Sequence, residues 1–228
     1  MFLLCVAVIP SIIIGIIIYK LDKVEKEPKR QLFHAFLMGI VAAVLTLALS
    51  RILGIMDKTF PINLKETLLW SFIYIALVEE FLKWGCTYLF IRNNKNFNYL
   101  FDGIVYAVFV ALGFATLENI FYVTSTNLTV GLMRAVTTVP AHAIFGICIG
   151  YYLSMARYNT IRKDYSKMRN NLICSIVFPV ALHGFFNFCL FMNNDLYLYI
   201  FYVFVVLLYV LAYNRLKNMK LIDKPFDK

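Results

Sequence analysis

Charge is scarce in this sequence. Asp, Glu, Lys and Arg make up 15% of its 228 residues, where a soluble domain carries about 25%. Acidic residues are the scarcer kind, 13 against 22 basic, for a net charge of +9. A chain that is 61% hydrophobic, with a mean hydropathy of +0.74, has more apolar surface than one soluble core can hide. The excess must face lipid. The basic residues sit in short loops, with no interleaved basic-aromatic stripe, so the charge fits a membrane surface and no nucleic-acid partner is expected. No CxxC pair occurs among Cys5, Cys86, Cys148, Cys174 and Cys189, all inside apolar segments. That excludes a cysteine zinc site and gives no sign of a disulfide framework. The HExxH signature of soluble zinc peptidases is also missing. No linker is long enough to divide the chain and no internal repeat is visible, so residues 1–228 are expected to form a single domain. No basic stretch precedes the apolar run from Phe2 to Ile18, and its positive charge begins only at Lys20. This is the pattern of a retained anchor with its N-terminus outside.

What the sequence has in abundance is long apolar runs. Seven approach or exceed the roughly 20 residues that cross a bilayer core, at about 2–19, 32–56, 67–91, 103–124, 132–153, 171–192 and 196–213. The expected fold is an all-α polytopic bundle in the cell membrane. Alternate loops hold the basic residues: Lys20 to Arg30, Arg92 and Lys95, Arg157 to Arg169, and Arg215 to Lys228. The other set carries Lys58, Lys65 and Arg134. The positive-inside rule then predicts an external N-terminus and a cytoplasmic C-terminus.

Against this background several residues are out of place. The third run contains Glu79, Glu80 and Lys83, the fourth Glu118 and Asn119, the fifth His142, and the sixth His183 and Asn187. Four unpaired charges in a bilayer would cost on the order of 10 kcal/mol, so they are expected to pair, neutralise or face a water-filled cavity. Lys83 follows Glu79 by four residues and Glu80 by three, so it can reach either carboxylate. The other carboxylate is then free to act as a general base. With 1.5 Å of rise per residue, His142, His183 and Glu118 fall roughly 10–15 Å below the outer surface and Glu80 roughly 20 Å. Pro140 and Pro179 precede the two histidines and are expected to kink their helices around a cavity. Gly146 and Gly184 would permit close helix approach.

Glu79-Glu80-x-x-Lys83, Phe114-x-x-x-Glu118-Asn119, His142 and His183-x-x-x-Asn187, in this order on successive helices, resemble the PrsW family of membrane proteases. That family is related to the CAAX prenyl proteases and the bacterial abortive-infection membrane proteases. The CAAX-type members carry EExxxR and FxxxH, whereas EExxK and FxxxE follow the PrsW pattern. The resemblance implies that Glu79 or Glu80 activates a water, that Glu118 and His142 orient it, and that His183 and Asn187 stabilise the oxyanion. Lys83 and Asn119 are supporting residues. A metal centre is the rival account, with zinc held by Glu80, His142 and His183, since two histidines and a glutamate form a known catalytic set. The implied substrate is a single-span membrane protein of the anti-sigma-factor type, cut on its extracytoplasmic side in a stress response. Two other readings compete: a proton-coupled transporter using the same groups as a relay, and a non-catalytic membrane scaffold.

Overall fold

The computed structural model describes residues 2–55 and 61–226. The expected run 32–56 therefore ends on a residue outside the described set, as do Lys58 and Phe60 of the following loop. The helices are α1 (Phe2–Leu21), α2 (Lys29–Ile52), α3 (Leu64–Leu68), α4 (Val78–Ile91), α5 (Asp102–Ser125), α6 (Leu128–Val136), α7 (Thr138–Ile161), α8 (Tyr165–Phe191) and α9 (Asp195–Ile222). Between α3 and α4 the chain continues as a π-helix over Leu69–Leu77. The protein is all-α. Among the described residues the only extended pairing is an isolated bridge between Tyr99 and Pro225.

Among the described residues, six stretches are long and apolar enough to cross a membrane. The remaining expected run, 67–91, is the rod formed by α3, the π-segment and α4 without interruption. The expected run at 132–153 is divided differently. The chain breaks at Thr137, leaving α6 as a short separate helix before α7. Hydropathy cannot see this break because both sides are apolar. Several polar breakers prove to be helix N-caps, which satisfy backbone donors that have no partner within the helix. The side chains of Asn63, Asn127, Asp164 and Asn194 accept from the backbone N–H of Glu66, Val130, Lys167 and Leu196.

Helix α5 is the central element and is buried along most of its length. It packs against α1 and α2 on one flank and α7 on the other, while α8 packs on α7 and on the π-segment, and α9 lies against α7 and α8. Two glycine pairs allow the central crossings. A Cβ at Gly39 would lie 1.9 Å from the Val110 carbonyl oxygen, and one at Gly150 would lie 2.2 Å from that of Gly103. Small residues here let α5 approach α2 and α7 at backbone distance, as in other membrane helix pairs. The outward faces carry exposed Ile12, Ile16, Val203, Val206 and Val210, the surface that lipid covers.

At the end bearing most of the basic residues, the segment after α9 folds back on the α4–α5 loop. Phe101 N–H donates to Asp223 Oδ1 at 2.9 Å, and the Phe97 and Phe226 rings meet at 5.0 Å. These contacts tie the last helix to the start of α5.

Candidate active site

The polar residues of four spans converge in the half of the bundle opposite the basic loops. Glu79 and Glu80 begin α4 immediately after the π-segment, whose wider turn re-aims the helix face. Such π-segments recur at functional sites. Glu80 is fully buried. Its Oε1 accepts from Lys83 Nζ at 2.6 Å and lies 2.7 Å from His183 Nδ1. Lys83 Nζ also stands 3.0 Å from His142 Nδ1 and 4.4 Å from the centre of the Phe114 ring. His142 Nε2 is 2.8 Å from Glu118 Oε2, and that carboxylate is 3.1 Å from the Arg134 guanidinium. Arg134 Nε donates to Asn119 Oδ1 at 3.0 Å, and the Asn119 amide reaches the Ala7 carbonyl on α1. One polar chain therefore joins α8, α4, α7, α5, α6 and α1.

This network fixes the imidazoles. A protonated lysine donates to His142 Nδ1, which leaves the ring proton on Nε2 to bond Glu118. His183 gives Nδ1–H to Glu80, so its Nε2 carries the free lone pair. The rings meet edge to face, 5.2 Å apart, and Phe145 stacks on His183 at 5.0 Å. Gly184 lets α8 close on the π-segment, since a Cβ there would meet the Phe72 ring at 2.3 Å.

The Oε2 atoms of Glu79 and Glu80 are both buried without a hydrogen-bond partner, that of Glu79 4.0 Å from Lys83 Nζ. Glu79 differs from its neighbour in its surroundings. It lines a cavity of about 460 Å³ with Glu118, Arg134, His142, His183 and Asn187. Asn187 shares this cavity one helical turn beyond His183, and its side chain makes no hydrogen bond among the described residues. Asn119 sits outside the cavity, braced between α6 and α1.

One sequence expectation needs correction. Pro140 lies in the first turn of α7, where its missing N–H leaves no intrahelical bond unmade, so it does not kink the helix. Pro179 is inside α8, as expected. Of the expected metal set, Glu80 meets Lys83 and His183 through Oε1 and has an unpartnered Oε2. One ligand atom each from its neighbour Glu79, His142 and His183 lie within 4.8 Å of one another. Arg134 is the residue that sequence reasoning missed. It was counted as a loop charge, although it stands inside an apolar run, the same signal that marked Glu118.

Carboxylates and imidazoles gathered inside a multi-pass bundle, beside a cavity, are the equipment of a membrane-embedded hydrolase, and comparison with known proteins narrows the class to a peptidase. The chain belongs to the PrsW family of intramembrane metalloproteases, whose family profile matches residues 27–213. It is 35% identical over 216 residues to Protease PrsW of Oceanobacillus iheyensis, covering 95% of each chain. It is 33% identical over 220 residues to Protease PrsW of Clostridioides difficile, covering 95% of this chain and 90% of the relative. With Protease PrsW of Bacillus subtilis the identity is 28% over 217 residues, 94% of each chain. No solved structure matches the chain. It is thus a multi-pass peptidase of the cell membrane.

Proposed function

We propose that this peptidase cleaves a single-span regulatory protein of the anti-sigma-factor type on its extracytoplasmic side, with Glu79 as the base that activates water. The observation that carries this reading is the contrast within the Glu79-Glu80 pair. Glu80 is held through Oε1 by Lys83 and His183, while Glu79 lines the cavity and keeps only the 4.0 Å approach of Lys83. Glu79 accepts a proton from water as the oxygen attacks the scissile carbonyl. The amide of Asn187 and the remaining N–H groups of Arg134 line the same cavity and serve as donors to the developing oxyanion. Glu80 orients His183 through Nδ1, and Glu118, itself held by Arg134, orients His142 through Nε2. The basic loops, placed in the cytoplasm by the positive-inside rule, put the cavity in the outer half of the bilayer.

The family description implies a metal, and the residues present fit one. Glu79, His142 and His183 form the two-histidine, one-carboxylate set of catalytic zinc sites. The orphaned Glu79 Oε2 and the free His183 Nε2 are donors without another use. These residues would hold zinc, which would supply Lewis-acid chemistry and help to activate water. His142 would join such a set by giving up its contact with Lys83 or with Glu118.

The test is cleavage of a single-span anti-sigma factor in proteoliposomes. Glu79→Gln, Glu80→Gln and His183→Ala should each abolish cleavage in protein that remains folded. Normal cleavage by all three variants defeats the reading. A chelator arm separates the two accounts. Loss of cleavage restored by zinc assigns Glu79, His142 and His183 to the metal, and chelator-resistant cleavage assigns water activation to the glutamate alone.

A further inference from the structure

A second cavity, of about 410 Å³, lies on the other side of the same carboxylates. Its walls come from α2, the π-segment and α5, and include Thr46, Leu47, Ser50 and Phe121. The first cavity is walled by α6, α8 and α9, through Thr129, Met133, Leu190 and Leu198. Four residues line both: Ile75 and Glu79 on one side, Glu118 and Tyr122 on the other. The two cavities therefore meet at a gate between the π-segment with the start of α4 and the end of α5. Each reaches the lipid-facing flank, since Leu47 and Phe121 on one side and Leu190 and Leu198 on the other are exposed. Each volume lies within the range of roughly 300–1,000 Å³ that ligand sites occupy.

We infer that the two cavities are the two halves of one substrate channel, in which an extended peptide passes the gate with its scissile bond beside Glu79. Residues on opposite sides of that bond occupy opposite cavities. This inference rests on the peptidase reading above. The chemistry of the gate commits the occupant to a polypeptide. Hydrolysis at Glu79 requires chain to continue on both sides of the reacting carbonyl, and an extended strand advances about 3.3 Å per residue. A strand rather than a helix fits the opening because its carbonyl is not buried in helical hydrogen bonds. Apolar walls on both flanks suit the residues that adjoin a membrane span, and the hydroxyls of Ser50 and Thr129 offer partners to the strand backbone. The channel thus gives the peptidase subsites on the α2 side that the polar centre alone does not reveal.

The experiment places a photo-crosslinking amino acid at Thr46, Ser50, Thr129 or Leu198, each in the Glu79→Gln background, with a single-span anti-sigma factor as probe in proteoliposomes. Cleavage by the parent protein is followed in parallel. The expected result is that Thr46 and Ser50 crosslink to one side of the cleavage point and Thr129 and Leu198 to the other. In otherwise unaltered enzyme, Ser50→Trp should lower kcat/KM at least tenfold without changing thermal stability. Cleavage by the parent with all crosslinks on one side, or with Thr46 and Ser50 captured only by lipid, overturns the channel and leaves the peptidase reading standing. Without parent cleavage, crosslinks from Thr46 and Ser50 to one segment of the probe and from Thr129 and Leu198 to a neighbouring one support the channel and overturn the choice of substrate. Absence of both cleavage and crosslinks overturns both.

Discussion

Among the described residues, carboxylates are buried at two places. One is the centre of Glu79 and Glu80 with half-buried Glu118 beside them; the other is a cluster near the basic end formed by Asp22, Glu27 and Asp102, all nearly inaccessible. In the first, Lys83, Arg134 and two histidines interleave with the acids, and cavities open on both flanks. In the second, the acids are met by neutral donors. Tyr106 hydroxyl donates to Glu27, and the backbone N–H groups of Asn98 and Tyr99 donate to Asp102 at 2.9 and 2.6 Å. Lys26 turns its ammonium to the carbonyls of Tyr19 and Asp22. Burial pushes the Glu27 carboxyl up to about 7, opposed by hydrogen bonds from Tyr106 and Asp102. It likewise raises Asp22 to about 6, opposed by Lys26. Burial of acid alone therefore does not make a reaction centre. What separates the two is direct pairing of the carboxylates with cations and imidazoles, together with an approach for substrate.

The comparison can be broken most severely at Glu79. Glu79→Gln keeps the shape but removes the base, and cleavage should fall on the order of 10²–10⁴-fold. The folded fraction, read by size-exclusion profile and melting temperature, should stay unchanged. Lys83→Met is expected to act on stability first. It strands Glu80 without its cation, and breaking a buried pair in this way costs about 3–5 kcal/mol. Thermal unfolding should show that loss, and the Lys83→Met, Glu80→Gln double variant should recover much of it while remaining inactive. Arg134→Lys sharpens the contrast further, because a lysine cannot hold Glu118 and Asn119 together as the guanidinium does. Loss of a partner that orients a reacting group typically reduces activity roughly 10–100-fold, here with the fold intact.

The smallest effect belongs to the acid cluster. An acid whose pKa is raised by folding contributes its stability in full below its unfolded value of 4.5 and loses it as pH climbs through about 7. Wild-type melting temperature should thus decline across that window, with Asp22 adding to the fall. Glu27→Gln should flatten the decline and leave peptide cleavage at neutral pH unaltered.

Much of the fold was legible in the sequence because apolar length and loop charge are properties of composition. The split between α6 and α7 was not, since Thr137 interrupts a run that is apolar on both sides. The residues of the polar centre were legible individually, as ionisable groups inside apolar runs. Which of Glu79 and Glu80 faces the cavity was not, because adjacent helical positions differ by about 100° and the π-segment before them resets the phase. Arg134 escaped because it lies near a span boundary, where a charge reads as loop. The acid cluster was invisible for a related reason. Asp22 and Glu27 sit in a polar loop, and only the packing of that loop against α5 buries them.

The most direct test of the account places the two buried acids side by side: cleavage of one membrane-anchored substrate by Glu79→Gln and by Glu27→Gln, in the same proteoliposomes. The account predicts cleavage by the first that is on the order of 10²-fold or more below wild type and a wild-type rate from the second. Equal rates in the two variants would contradict it.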